Sequence, residues 1–159
     1  MVRLSRKYNM IELSEVQINK MLSYIEAQIE VKAFYLFGSY ATEYQTCLSD
    51  VDFAVLLQMP SPLKVEDSLE KELEILSKLQ QIGDHEDINV VNLLKAPVTL
   101  QMKVLEEGKL LFCRDQICLA NFKEYVIRRY CDFEPDLRAI YKDYDAGLRE
   151  EYLHSVASY

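Results

Sequence analysis

The sequence predicts an α/β domain with a small mixed β-sheet flanked by helices and a C-terminal helical tail. Segments with apolar residues at helical spacing alternate with short segments rich in β-branched and aromatic residues, as in a layered domain. Half of the 159 residues are apolar, so the chain can form a substantial core. We therefore expect the core over residues 1–113 and the helical tail over residues 114–159.

Local signals set the predicted elements of the core. Ser14 and Gln17 form the capping box of a first helix, Gly83 ends a longer helix, and Pro97 and Gly108 bound another. Between the helices lie short segments with the composition of strands. The predicted helices are 14–30, 40–45, 65–82 and 97–108, and the predicted strands are 31–37, 51–57, 87–92 and 110–113.

The tail is predicted as two helices, 116–130 and 136–153, because the segment between them ends in Pro135. An apolar stripe recurs at helical spacing in the second of these helices. This stripe packs either against the core or against a partner, and the sequence leaves both interpretations open. Its members are Leu137, Tyr141, Tyr144, Leu148 and Tyr152.

Charge and cysteine content limit the classes of function. The formal net charge is −8, and no basic patch has the density expected of a nucleic-acid binder, so we expect no direct nucleic-acid contact and favour a basic partner. We also expect a cytoplasmic protein without a membrane span or signal peptide. The cysteines lack CxxC spacing, which favours reduced thiols over a Cys113–Cys118 disulfide.

The most specific pattern is Gly38-Ser39, ten further residues, and then Asp50-Val51-Asp52. A strand that ends in Gly-Ser presents backbone N–H groups and a hydroxyl to an anion such as phosphate. In the following strand, Asp50 and Asp52 lie on one face because successive side chains alternate. Two adjacent carboxylates suit Mg²⁺, which is commonly bound by one or two carboxylates together with substrate phosphates. The pattern therefore predicts nucleotide chemistry.

The segment G-S-Y-A-T-E-Y-Q-T-C-L-S-D-V-D resembles the signature of the DNA polymerase β-like nucleotidyltransferase superfamily. Within it, the chain is similar to the minimal nucleotidyltransferase (MNT) antitoxins of HEPN–MNT toxin–antitoxin pairs. The resemblance extends over about residues 30–145, through D-I-N-V-V-N-L-L-K-A-P, E-E-G-K-L-L-F and F-K-E-Y-V-I-R-R-Y-C-D-F-E-P. One departure is Thr42-Glu43, where many relatives carry Arg-Gly; this removes a cation near the phosphates.

The resemblance implies a site and a reaction. Asp50, Asp52 and a third carboxylate, Asp87, would bind Mg²⁺ or Mn²⁺ and act in catalysis, while Gly38 and Ser39 would hold the triphosphate of ATP. AMP would pass to a tyrosine of a HEPN-domain ribonuclease toxin, with which the chain would form a hetero-oligomer. His85 is expected to be a turn residue, because no second histidine or cysteine lies at ligand spacing.

Two alternatives stay open at this point. The chain could be an antitoxin that masks its toxin by binding alone, although two unpaired adjacent carboxylates would be costly to keep without a cation. It could also be a small-molecule nucleotidyltransferase, a reading disfavoured because the sequence has no evident acceptor domain.

Overall fold

The computed structural model describes residues 12–41, 50–58 and 65–157. In chain order, the elements are α1 (Glu15–Ala27), β1 (Val31–Phe37), a 3-10 turn (Gly38–Tyr40), β2 (Val51–Leu57), α2 (Val65–Gly83), β3 (Ile88–Asn92), α3 (Val98–Glu107), β4 (Lys109–Cys113) and α4 (Gln116–Ala157). The strands form one sheet in the order β3-β2-β1-β4. β1 is antiparallel to β2 and β4, whereas β2 and β3 are parallel. The predicted α/β class with a small mixed sheet is confirmed.

Local signals account for most of the element boundaries. Ser14 accepts a hydrogen bond from the N–H of Gln17, and the Gln17 side chain accepts one from the N–H of Ser14, so the predicted capping box is present. α1 ends at Ala27, three residues before its predicted end. The helix predicted at 40–45 falls mostly on residues 42–49, which lie outside the described residues.

The core has two layers, one on each face of the sheet. Side chains from α1 and α2 pack on one face, where the rings of Phe34 and Phe53 stack with their centroids 5.0 Å apart. Side chains from α3 and the beginning of α4 pack on the other face, around Tyr35 and Leu56. β1 contributes buried side chains to both layers, so the strand that ends at Gly38 is held between two packed faces.

The C-terminal helix is continuous, which corrects the prediction of two helices separated at residues 132–135. α4 runs from Gln116 to Ala157 with Pro135 inside it. Proline removes one helical hydrogen bond, but here it lies on an exposed part of the helix, where water can reach the carbonyl of exposed Cys131. An ion pair between Arg138 and Glu134, 2.6 Å long, also bridges the proline.

The two halves of α4 have different environments. Leu119, Phe122 and Val126 are buried in the core, whereas Tyr141 and Tyr144 of the predicted stripe are 62% and 64% exposed and do not pack on it. The side chains of the other stripe members, Leu137, Leu148 and Tyr152, lie outside the described part of the structure. In the described ranges, no helix is both long and apolar enough to cross a bilayer.

Candidate active site

Gly38 directly follows β1 and begins the turn at which the sequence predicts phosphate binding. Its φ is +73°, in the left-handed region that favours glycine. A Cβ at this position would lie 2.7 Å from Oδ2 of Asp52, which is closer than a real Cβ approaches an oxygen. Gly38 is therefore required both by its backbone conformation and by the close approach of a carboxylate. Ser39 follows it in the 3-10 turn, and the phosphate-binding role of these two residues stays a prediction.

Asp52 is the second residue of β2 and lies beside Gly38, at the end of the sheet where β1 finishes. It pairs with Phe37 across the antiparallel β1–β2 ladder and with Asn89 across the parallel β2–β3 ladder. Asp52 shares a sheet face with Ala54 of the same strand, and Ala54 packs on the side of α3 and α4. Asp50, one residue before β2, shares that face by alternation, so the structure keeps the two predicted aspartates on one side.

The carboxyl group of Asp52 is partly removed from water, and this changes its acidity. Burial raises the pKa of Asp52 above its usual value, and the negative charge of Asp50 raises it further. A hydrogen bond from Nδ2 of Asn89 to Oδ1, 3.3 Å long, and the positive charge of Lys103 act in the opposite direction. Ionised Asp52 is thus electrostatically under-compensated in the protein alone, and a cation beside it would relieve that cost.

Asp87 lies next to Asp50 across the β2–β3 ladder, because its carbonyl accepts a hydrogen bond from the N–H of Val51 at 3.0 Å. Its carboxylate lies 3.9 Å from Nδ1 of His85, and this nitrogen also accepts a hydrogen bond from the N–H of Asp87. His85 thus shapes the connection into β3, in agreement with its expected turn role.

The predicted metal ligands are close along the backbone but do not form a three-ligand cluster. Among the residues that the structure describes, no three His, Cys, Asp or Glu side chains come together to hold a metal ion. Asp50 and Asp52 lie on one face beside the glycine corner, and such a carboxylate pair matches the donors that Mg²⁺ uses when substrate phosphates supply its other ligands. The metal-binding and catalytic roles of Asp50, Asp52 and Asp87 stay predictions.

The fold brings a further residue to this site that the sequence reasoning missed. Lys103, on α3, is near enough for its charge to act on Asp52 although 51 residues separate the two in sequence. Lys103 belongs to no motif, so only the packing of α3 under the sheet reveals it. Asn89 had a weaker signal, since alternation along β3 places it on the face of Asp87.

Comparison with known proteins finds one family model and several solved structures that are similar to the chain. The model of the family described as polymerase beta nucleotidyltransferase matches residues 19–117. No curated protein matches the sequence.

Solved structures give more specific similarities. A chain from a toxin–antitoxin complex with AMP-PNP is 30% identical, with a TM-score of 0.63, and the match covers 82% of this chain and 98% of that one. A chain from the tri-AMPylated Shewanella oneidensis HEPN toxin in complex with its MNT antitoxin is 26% identical, with a TM-score of 0.62 and the same coverage. A chain from an MntA–HepT toxin–antitoxin complex is 26% identical, with a TM-score of 0.60, and the match covers 82% of this chain and 97% of that one.

Proposed function

The chain belongs to the polymerase beta nucleotidyltransferase family, and on that premise we propose that it is an antitoxin that transfers AMP from ATP to a tyrosine of a cognate HEPN ribonuclease toxin. The observation that carries the proposal is the position of Asp52: its carboxylate lies against the backbone of Gly38, on the same face as Asp50. An anion-binding corner and a carboxylate pair at one sheet edge are the two parts that nucleotide transfer needs.

Each residue has a distinct part in the proposed reaction. Gly38 and Ser39 bind the triphosphate through backbone N–H groups and a hydroxyl, and Asp50 and Asp52 are the groups that would hold Mg²⁺. When bound, the ion neutralises phosphate charge and polarises the phosphoryl oxygens. Lys103 supplies a positive charge on the same side of the sheet, which offsets in part the absence of the Arg-Gly pair at Thr42-Glu43.

The transfer step forms one bond and breaks one. The tyrosine hydroxyl oxygen of the toxin attacks the α-phosphorus of ATP, the bond from that phosphorus to the bridging oxygen breaks, and pyrophosphate leaves with the bonding electrons. Asp87, next to Asp50 across the β2–β3 ladder, is the candidate to accept the hydroxyl proton. Positioning and charge neutralisation supply most of the rate enhancement in such a reaction.

The AMPylated product explains how transfer would inhibit a ribonuclease. An added AMP brings a phosphate charge and a bulky nucleoside to the tyrosine, and RNA carries the same sign of charge along its backbone. The structural neighbours support a toxin partner, since the matched chains come from toxin–antitoxin complexes and one of these contains an AMPylated toxin.

Radiolabelled ATP with purified toxin tests the proposal. Wild-type protein with Mg²⁺ and [α-³²P]ATP should label the toxin, and Asp52→Asn should lower the rate by about 100- to 1,000-fold, because charge neutralisation at the phosphates is lost. Glu70→Gln is the matched control, since Glu70 is an exposed carboxylate on α2, on the other side of the sheet from Asp52, and its replacement should leave the rate unchanged. Absence of label with wild-type protein would refute AMP transfer.

Masking by binding alone is the second candidate function, and the exposed second half of α4 favours it. The two functions differ in their dependence on Asp52. If the antitoxin acts by transfer, cells that produce toxin with the Asp52→Asn antitoxin should stop growing. If it acts by masking, the same variant should protect them as well as the wild type does.

A further inference from the structure

One apolar line runs along α4 from Leu119 to Tyr144, although only its first part is covered. Leu119, Phe122 and Val126 are buried on the sheet. Phe133 and Ile140 continue the same side of the helix, because each lies seven residues, or about two turns, beyond the preceding residue of the line. The helix therefore keeps the apolar side that packs on the core after it has left the core.

The free half of the helix is long, and the large apolar side chains that the structure describes in it are exposed. Residues 131–157 extend over about 40 Å at 1.5 Å per residue. Ile140 is 60% exposed, and Tyr141 and Tyr144 are exposed to a similar degree. We call Phe133, Ile140, Tyr141 and Tyr144 the exposed stripe. Large apolar side chains that are grouped on one side of a helix mark an interaction surface rather than ordinary solvent-exposed positions.

A row of carboxylates borders the exposed stripe on one side. We call Asp132, Asp136, Asp143 and Glu150 the acidic row, and all four are exposed. Their spacings of four and seven residues place them in one line, about a quarter-turn around the helix from the stripe. Within the described part of the chain, none of the four forms a salt bridge. A partner that covers the stripe would therefore bring basic groups to this edge.

A second copy of the chain does not meet this requirement. The basic residues of the free half, Arg138, Lys142 and Arg149, lie about half a turn around the helix from Phe133. If two copies packed stripe against stripe, these cations would point away from the contact. In an antiparallel arrangement the acidic rows would face each other, and like charges at such an edge oppose pairing.

From this geometry we propose that the free half of α4 docks on the toxin, with the exposed stripe against an apolar surface and the acidic row against basic residues. The identity of the partner rests on the proposed function. A protein that binds RNA carries an excess of basic residues on its surface, so a ribonuclease offers the charge that the acidic row lacks. The docked helix would hold the toxin beside the nucleotide site during transfer.

Binding measurements without ATP test the docking separately from catalysis. Ile140→Asp with Tyr144→Asp should weaken binding of full-length antitoxin to purified toxin by at least tenfold, measured by titration calorimetry. Lys142→Gln with Arg149→Gln is the matched control, because it changes the net charge by the same two units on the opposite side of the helix and should leave the dissociation constant within about twofold. Reversal of the acidic row with Asp136→Lys and Asp143→Lys should also weaken binding.

The outcomes separate this inference from the proposed function. Wild-type affinity in the Ile140→Asp, Tyr144→Asp variant would overturn the docking. The docking would also be overturned if this variant changed only self-association, seen by light scattering, or if the wild type did not bind the toxin. Asp52→Asn should bind the toxin normally without labelling it. Normal docking by a wild-type protein that labels nothing would refute AMP transfer and leave the docking in place.

Discussion

Replacement of Gly38 by alanine should slow AMP transfer far more than it disturbs the fold. The alanine Cβ would lie 2.7 Å from Oδ2 of Asp52, and an ordinary contact begins at 3.4 Å, so the oxygen must move by about 0.7 Å. This oxygen lies at the end of a side chain that can rotate, so the clash is relieved by a change in the direction of the Asp52 carboxylate. A misplacement approaching 1 Å can lower a rate about 100-fold, and we expect a loss of about ten- to 100-fold.

The stability cost of the same change comes from the backbone. A φ of +73° costs a non-glycine residue about 1–2 kcal/mol, which corresponds to a decrease in Tm of about 2–8 °C for a protein of this size. Initial rates of toxin labelling and thermal unfolding followed by circular dichroism measure the two effects.

Gly147→Ala is the control for this experiment. Gly147 lies within α4, and an added Cβ would meet no atom within 4 Å, so this variant should be more stable by about 0.5–1 kcal/mol, in contrast to the loss expected at Gly38. If Gly38→Ala transferred AMP within twofold of the wild-type rate, Asp52 would not need its position against the glycine, and our account of the site would be wrong.

Three further predictions concern polar groups that are wholly or partly buried. Burial raises the pKa of Asp52, so the folded protein loses stability as the pH rises through that pKa and the carboxyl group ionises. Asp52→Asn should therefore raise the Tm at pH 7 and leave it unchanged near pH 3. A lower Tm of the variant at pH 7 would contradict this explanation. Burial alone would raise the pKa of Glu72, but hydrogen bonds from Lys95, Asn92 and Ser68 outweigh it and lower that pKa. Glu72→Gln should thus destabilise the protein at pH 7, and thermal melts should show this difference disappearing as the pH falls through the folded-state pKa. Asn92→Ala should cost about 1–3 kcal/mol in urea unfolding, because it removes hydrogen bonds to buried groups; a cost below about 0.5 kcal/mol would show that the network contributes little.

Much of the fold could be predicted because its signals are local. The capping box of Ser14 and Gln17 and the composition of the strands depend on neighbours within one or two turns. The same holds for the placement of Asp50 and Asp52 on one face, which follows from the alternation of any strand. The error at Pro135 arose because a local signal was weighted without knowledge of exposure, and an exposed helix tolerates the lost hydrogen bond.

The sequence by itself determined the strands, most of the helices, the fold class and the placement of the two aspartates on one face. Only the tertiary structure decided what surrounds them: the parallel register that sets Asn89 beside Asp52, the packing of α3 that brings in Lys103, and the exposure of the second half of α4. The physical reason is the distance along the chain over which each effect acts. Propensity and periodicity act over a few residues, whereas register, burial and charge environment arise from contacts between segments far apart in the chain.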